Sequence, residues 1–112
     1  LPTLQKTVKP KPIVAFRVTV KADGDLKLTI EGEMLAWENM QLVIRNDTVG
    51  RKVDLSGSVL KSATGNVTTD NSGRIDAYFD SEDAITIKKD IIWTGDTLEI
   101  YYAGDKLYEH EI

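Results

Sequence analysis

The chain has 112 residues, no cysteine and a formal net charge of −4 at pH 7. A chain of this length forms one domain that buries roughly two-thirds of its unfolded surface, so its stability requires neither disulfides nor a structural metal. The absence of cysteine also excludes thiol chemistry.

Positive charge is concentrated at the start of the chain. Residues 1–21 carry five basic residues and no acidic one, whereas the rest carries nine basic and eighteen acidic residues. An acidic body argues against nucleic-acid binding, which requires a basic face to neutralise phosphates. No apolar run approaches the roughly 20 residues that span a bilayer. We therefore expect no nucleic-acid partner, and no segment within residues 1–112 that spans a membrane.

The predicted elements begin with a linker and continue as short strands. Residues 1–12 hold all three prolines and three lysines, which favours an extended linker before a domain over 13–112. Beyond it, apolar and polar residues alternate in segments bounded by Gly, Asn or Asp, as in half-buried strands. The predicted strands are 16–21, 26–31, 40–45, 74–79, 84–88, 97–102 and 106–112, with weaker segments at 52–55, 58–61 and around Val67.

Turn signals support an all-β fold. Asp23-Gly24 predicts a hairpin between the first two strands, and Ala103-Gly104-Asp105 predicts another between the last two. Turns recur every 8–12 residues and no long segment has helical periodicity. The sequence therefore predicts an Ig-like antiparallel β-sandwich of about seven to nine short strands.

Catalytic motifs are weak. The single histidine, His110, should share a strand face with Tyr108 and Ile112, which favours packing over general-base chemistry. We therefore expect no catalytic residue, no enzymatic activity and no cofactor.

Acidic residues gather in one segment. Carboxylate oxygens are the ligands that Ca²⁺ prefers, although the spacing here does not fit the twelve-residue calcium loop. A solvated acidic loop is the alternative interpretation. The candidate calcium ligands are Asp70, Asp76, Asp80 and Asp83, with Glu82 beside them.

Two further patterns concern the surface. Asn46-Asp47-Thr48 and Asn66-Val67-Thr68 fit the N-glycosylation pattern at predicted turns, which makes Asn46 and Asn66 candidate acceptors. Trp37 and Trp93 lie in predicted loops, where they could contact a sugar or a protein partner. The alternative is that both tryptophans close the ends of the sandwich.

The chain resembles the soluble domain of archaeal type IV pilin-like proteins, the group that contains adhesive pilins and archaellum components. The resemblance lies in the opening hairpin over 16–30, in the third strand with Leu42-Val43-Ile44, and in Trp93-Thr94-Gly95-Asp96 before a strand and a closing hairpin. It covers about residues 13–47 and 91–112.

The resemblance implies a non-enzymatic protein of the cell surface, anchored to a membrane or filament through an N-terminal helix. Its partners would be copies of itself in a filament, or surface-layer and archaellum proteins. The alternative is a carbohydrate-binding or adhesion module of a larger secreted protein, which would expose Trp37 and Trp93 on one face.

Overall fold

The computed structural model describes residues 12–57, 60, 67–70 and 77–112, and for 67–70 the backbone alone. In this part of the chain, ten strands form two four-stranded antiparallel sheets and one two-stranded pair. The strands are β1 (Val14–Val20), β2 (Leu26–Gly32), β3 (Leu35–Ala36), β4 (Met40–Asn46), β5 (Arg51–Ser56), β6 (Val67–Asp70), β7 (Tyr78–Phe79), β8 (Ala84–Ile87), β9 (Thr97–Tyr102) and β10 (Asp105–Glu111). Short 3₁₀ helices cover Trp37–Asn39 and Lys89–Ile91.

The strand order is that of an immunoglobulin-like sandwich. One sheet has the order β1-β2-β8-β6, the other has the order β10-β9-β4-β5, and β3 pairs with β7. Immunoglobulin-type folds place strands A-B-E-D in one sheet and G-F-C, with an additional C′ in some domains, in the other. The eight strands of the two large sheets match that order in sequence. The predicted fold class is therefore confirmed. The described residues contain ten strands, against seven to nine predicted, and the two-residue strand β3 has no counterpart among the predicted strands.

The first predicted hairpin is present, whereas two later predicted strands are only partly described. The hairpin at Asp23-Gly24 is present, with Gly24 at a φ of +94° and Arg17 opposite Thr29 in the register. Of the strand predicted over 74–79, Tyr78 and Phe79 form β7, and 74–76 lie outside the described residues. Residues 1–11, 58, 59 and 61 also lie outside them, and Leu60, within the strand predicted over 58–61, is helical. No helix in the described ranges is both long enough and apolar enough to cross a membrane.

The core lies between the two large sheets and follows the alternation of the sequence. Leu28 and Ile85 from one sheet and Leu42 and Ile100 from the other are fully buried. Strands β1 and β10 form adjacent edges of the two sheets, and their inward side chains are only partly buried. The rings of Phe16 and Tyr108 close the sandwich between these edges, with centroids 5.4 Å apart.

The strand register separates two ends of the sandwich. The entry end contains the start of β1, the connection from β2 to β4 and the turn between β9 and β10. The far end contains the β1–β2 turn, the β4–β5 turn and the segment between β8 and β9. Most of the candidate site lies at the far end.

A buried carboxylate joins two connections at the far end. Asp25 Oδ1 accepts a hydrogen bond from the Lys89 backbone N–H at 2.9 Å, and the Lys88 ammonium group lies 3.5 Å from Asp25 Oδ2. The backbone hydrogen bond, together with the Lys88 charge, outweighs desolvation and lowers the pKa of Asp25 below its ordinary value. The β1–β2 turn is thereby attached to the segment that follows β8.

Candidate functional site

A tight turn at the far end leads into β9. The backbone N–H of Asp96 donates to the carbonyl oxygen of Trp93 at 3.0 Å. Gly95 has a φ of +95°, a backbone conformation that residues with a Cβ rarely adopt. Asp96 Oδ2 accepts the Trp93 N–H at 2.8 Å, and the Asp96 carbonyl oxygen accepts the Ile112 N–H at 2.8 Å. The Gly-Asp motif therefore fixes both the turn and the end of the last strand.

Arg51 completes this corner from the start of β5. Its guanidinium group donates to Asp96 Oδ2 and to the carbonyl oxygen of Ile91. The same group lies over the Trp93 ring, with its central carbon 4.1 Å from the ring centroid. The Asp96 side chain is fully buried and the Arg51 side chain is 15% exposed, so this ion pair is shielded from water. Trp93 is held in place although 54% of its surface is exposed.

A second charged network lies on the outer face of the sheet β10-β9-β4-β5. Glu99 points away from the core, yet it is only 3% exposed because longer side chains surround it. Its carboxylate contacts Arg45 Nε at 3.3 Å, the Tyr101 hydroxyl at 3.2 Å and Lys106 Nζ at 3.3 Å. Lys106 also contacts Glu109 at 3.4 Å, and its hydrogen bonds to Glu99 and Glu109 raise the pKa of Lys106 above its ordinary value.

A polar groove of about 400 Å³ runs from this network to the far end. Its inner part is formed by the charged side chains around Glu99. Its outer part is formed by the β4–β5 turn, by Gly95 and by Thr97. Within the described part of the chain, no hydrogen bond or ion pair engages the side chains of Asn46, Asp47, Thr48 and Thr97. The groove therefore presents an amide, two hydroxyls and one carboxylate that no described residue engages.

The candidate glycosylation sites and tryptophans lie in different environments. Asn46 ends β4 and lines the groove, whereas Asn66 lies outside the described residues. Trp93 is exposed at the far end, but Trp37 is 3% exposed and packs on Phe79 with ring centroids 5.2 Å apart. The two tryptophans do not form a common surface, and Trp37 closes the core as the alternative interpretation expected.

The candidate calcium ligands are only partly described. Asp83 Oδ2 accepts the Asp80 N–H at 3.0 Å, and Asp80 Oδ1 accepts the Glu82 N–H at 3.0 Å, so both carboxylates stabilise the turn before β8. Asp76 lies outside the described residues, and Asp70 belongs to β6, of which the backbone alone is described. Among the described side chains, no group of three or more His, Cys, Asp or Glu could hold a metal ion. Calcium binding stays a prediction.

His110 lies where alternation along the last strand predicts it. Its ring is stacked with that of Tyr108, with centroids 6.3 Å apart and planes 12° from parallel. The Tyr108 hydroxyl lies 3.5 Å from His110 Nδ1. This partly buried pair supports the packing role that the sequence indicates.

Two charged residues of the site, Arg51 and Glu99, were not singled out from the sequence, and Asp96 was noted only as part of the motif Trp93-Thr94-Gly95-Asp96. Arg51 and Asp96 are 45 positions apart, and no local pattern pairs them. Glu99 lies at an outward position of β9, where alternation predicts exposure. One signal was present at Asp96, because an aspartate in a turn often accepts hydrogen bonds from nearby backbone N–H groups.

Comparisons with protein-family models, with curated proteins and with solved structures found no match for this chain.

Proposed function

We propose that this domain is the head of a non-enzymatic cell-surface protein, a type IV pilin-like filament subunit or archaellum-associated component. Its function would be contact with other molecules outside the cell. The linker over 1–12 would connect the head to an N-terminal helix in a filament core or membrane.

The observation that carries the proposal is a rigid polar surface that extends over the outer face of one sheet and includes the far end. The outer-face network around Glu99 is fixed by three neighbouring side chains, and the corner at Asp96 is fixed by Arg51. Such pre-arranged polar groups lose little conformational freedom on binding, which favours recognition. In a head joined through 1–12, the corner formed by Arg51 and Asp96 would lie at the end opposite the start of β1.

The edge strand β10 has features that limit strand pairing between copies of the domain, which also supports the proposal. Strand β10 carries Asp105, Glu109 and Glu111, and its register is interrupted between Lys106 and Tyr108. Charges and bulges on edge strands discourage unplanned strand addition. A domain displayed at high local concentration in a filament needs such protection.

The alternative proposal is a carbohydrate-binding or adhesion module of a larger secreted protein. Trp93 supports it, because an exposed aromatic ring can stack on a sugar. Trp37 no longer supports it, because its ring is buried.

The experiment is to isolate the native protein from its source cells and determine its mass and N-terminal sequence. The proposal predicts an apolar helix of about 20 residues before Leu1, behind a cleaved basic leader. An ordinary signal peptide or a folded domain at that position would contradict it and would favour the alternative.

A further inference from the structure

The polar groove at the far end carries hydroxyl, amide and carboxylate groups for which the proposed surface role names no ligand. We propose that it binds a neutral saccharide. This inference deepens the proposed function, because it names a ligand class for the head. Saccharide binding by this chain can nevertheless be measured whether or not the protein belongs to a filament.

The first argument is charge. Arg45 and Lys106 are both engaged by Glu99, and Lys106 is shared with Glu109. A charged ligand in the inner part of the groove would have to compete with one of these pairs. Asp47 at the rim is the only lining charge that no described residue pairs. A neutral ligand leaves the network intact.

The second argument is the set of free polar groups. Thr48 and Thr97 offer hydroxyls that donate and accept, Asn46 offers an amide that does both, and Asp47 offers acceptors. Sugar hydroxyls also donate and accept, so one sugar ring can satisfy several of these groups at once. The floor is rigid, because Glu99 is buried and held by three partners. A volume of about 400 Å³ lies in the range of small-molecule sites.

The third argument is the apolar surface close by. Trp93 precedes the groove residue Gly95 by two positions, and the guanidinium group of Arg51 holds the Trp93 ring in place. Sites for sugars combine polar groups with an aromatic surface. A saccharide longer than one ring could reach from the groove to this tryptophan.

Two sources can supply the saccharide. One is a glycan on another cell or surface. The other is a glycan attached to Asn46, which belongs to the pattern Asn46-Asp47-Thr48 and itself lines the groove. The chemistry of recognition is the same, and the experiment must distinguish the sources.

The first arm uses the unglycosylated chain made in bacteria. Backbone amide shifts are followed by NMR while a sugar is added to about ten times the Kd, which is taken as about 1 mM. The sugars are methyl glycosides of glucose, galactose, mannose and N-acetylglucosamine, and also maltose and cellobiose. We expect shifts in residues 45–48 and 95–99 for at least one neutral sugar. The double variant Thr48→Val, Thr97→Val should bind about tenfold more weakly, since two hydrogen bonds are lost.

The matched control is the double variant Thr19→Val, Thr29→Val. These threonines lie on the outer face of the other sheet, where Thr19 is exposed and Thr29 is half-buried. The control should bind as tightly as the original chain.

The second arm measures the mass of the Asn46 peptide of the native protein and repeats the titration with that protein. A glycan on Asn46 together with loss of binding to free sugar identifies the protein's own glycan as the occupant.

Three results would overturn the inference. The first is the absence of shifts with every neutral sugar in the unglycosylated chain. The second is a stronger response to glucuronic acid, titrated in the same way, than to any neutral sugar, which would show an anion site instead. The third is binding that both double variants weaken equally, because that would place the sugar elsewhere or reflect a general loss of structure.

Discussion

Replacing Arg51 tests the corner that organises the far end. In Arg51→Met, the Asp96 carboxylate stays buried but keeps only the hydrogen bond from the Trp93 N–H. Removing one partner of a buried ion pair costs about 3–5 kcal/mol of unfolding free energy. Because the Arg51 side chain is 15% exposed, we expect a value near the lower limit, about 3 kcal/mol. For a chain of this length, 1 kcal/mol corresponds to about 4 °C, so Tm should fall by about 12 °C.

A lysine at the same position separates charge from geometry. Arg51→Lys keeps the positive charge near Asp96, but it cannot bond both Asp96 and the Ile91 carbonyl oxygen in a fixed fork. It also weakens the contact with the Trp93 ring. We therefore expect an intermediate loss of about 1–2 kcal/mol.

The assay is equilibrium unfolding in urea at pH 7, followed by circular dichroism and checked by calorimetry. Arg17→Met on the exposed face of β1 is the matched control and should change stability by less than about 0.5 kcal/mol. A loss below about 1 kcal/mol for Arg51→Met, or a loss no larger than that of Arg17→Met, would refute the reasoning.

Three further substitutions test other parts of the structure. In Asp25→Asn, the free energy of unfolding should fall at neutral pH. The folded-state pKa of Asp25 lies below the ordinary value of 3.8. The stabilisation by the Asp25 carboxylate is therefore present above about pH 4 and is lost as pH falls through the folded-state pKa. Urea unfolding between pH 7 and pH 2 should show the two proteins converging at low pH, and a constant difference would contradict this. Gly57→Ala should cost about 3 kcal/mol or more, because a Cβ would lie 1.5 Å from the Trp37 carbonyl oxygen, and calorimetry measures the loss. Tyr102→Phe removes the acceptor of the Ala36 N–H, so it should cost about 1 kcal/mol and speed exchange of that amide, whereas unchanged exchange would argue against the bond.

The fold was predictable because local signals agreed with one another. Alternation along β2 and β9 placed Leu28 and Ile100 in the core, and Asp23-Gly24 gave the hairpin with its turn glycine at positive φ. Ala103-Gly104 likewise gave the final turn, where both residues have positive φ. Period-two alternation is a strong signal when one face of each sheet is buried.

The site was less predictable because it depends on long-range contacts. The Arg51–Asp96 pair forms only when β5 and the β8–β9 segment meet at the far end. Burial of Glu99 depends on side chains from β4, β9 and β10 together. Trp37 lies in a 3₁₀ helix too short to show any periodicity, so its burial against Phe79 could not be read from its neighbours.

The most direct test of the proposed surface role is immunogold electron microscopy of source cells with antibodies against this 112-residue chain. The account predicts gold particles along filaments or on the outer envelope of intact cells, and no labelling when the antibodies are first absorbed with the purified chain. Gold confined to the interior of sectioned cells, with an unlabelled surface, would contradict it.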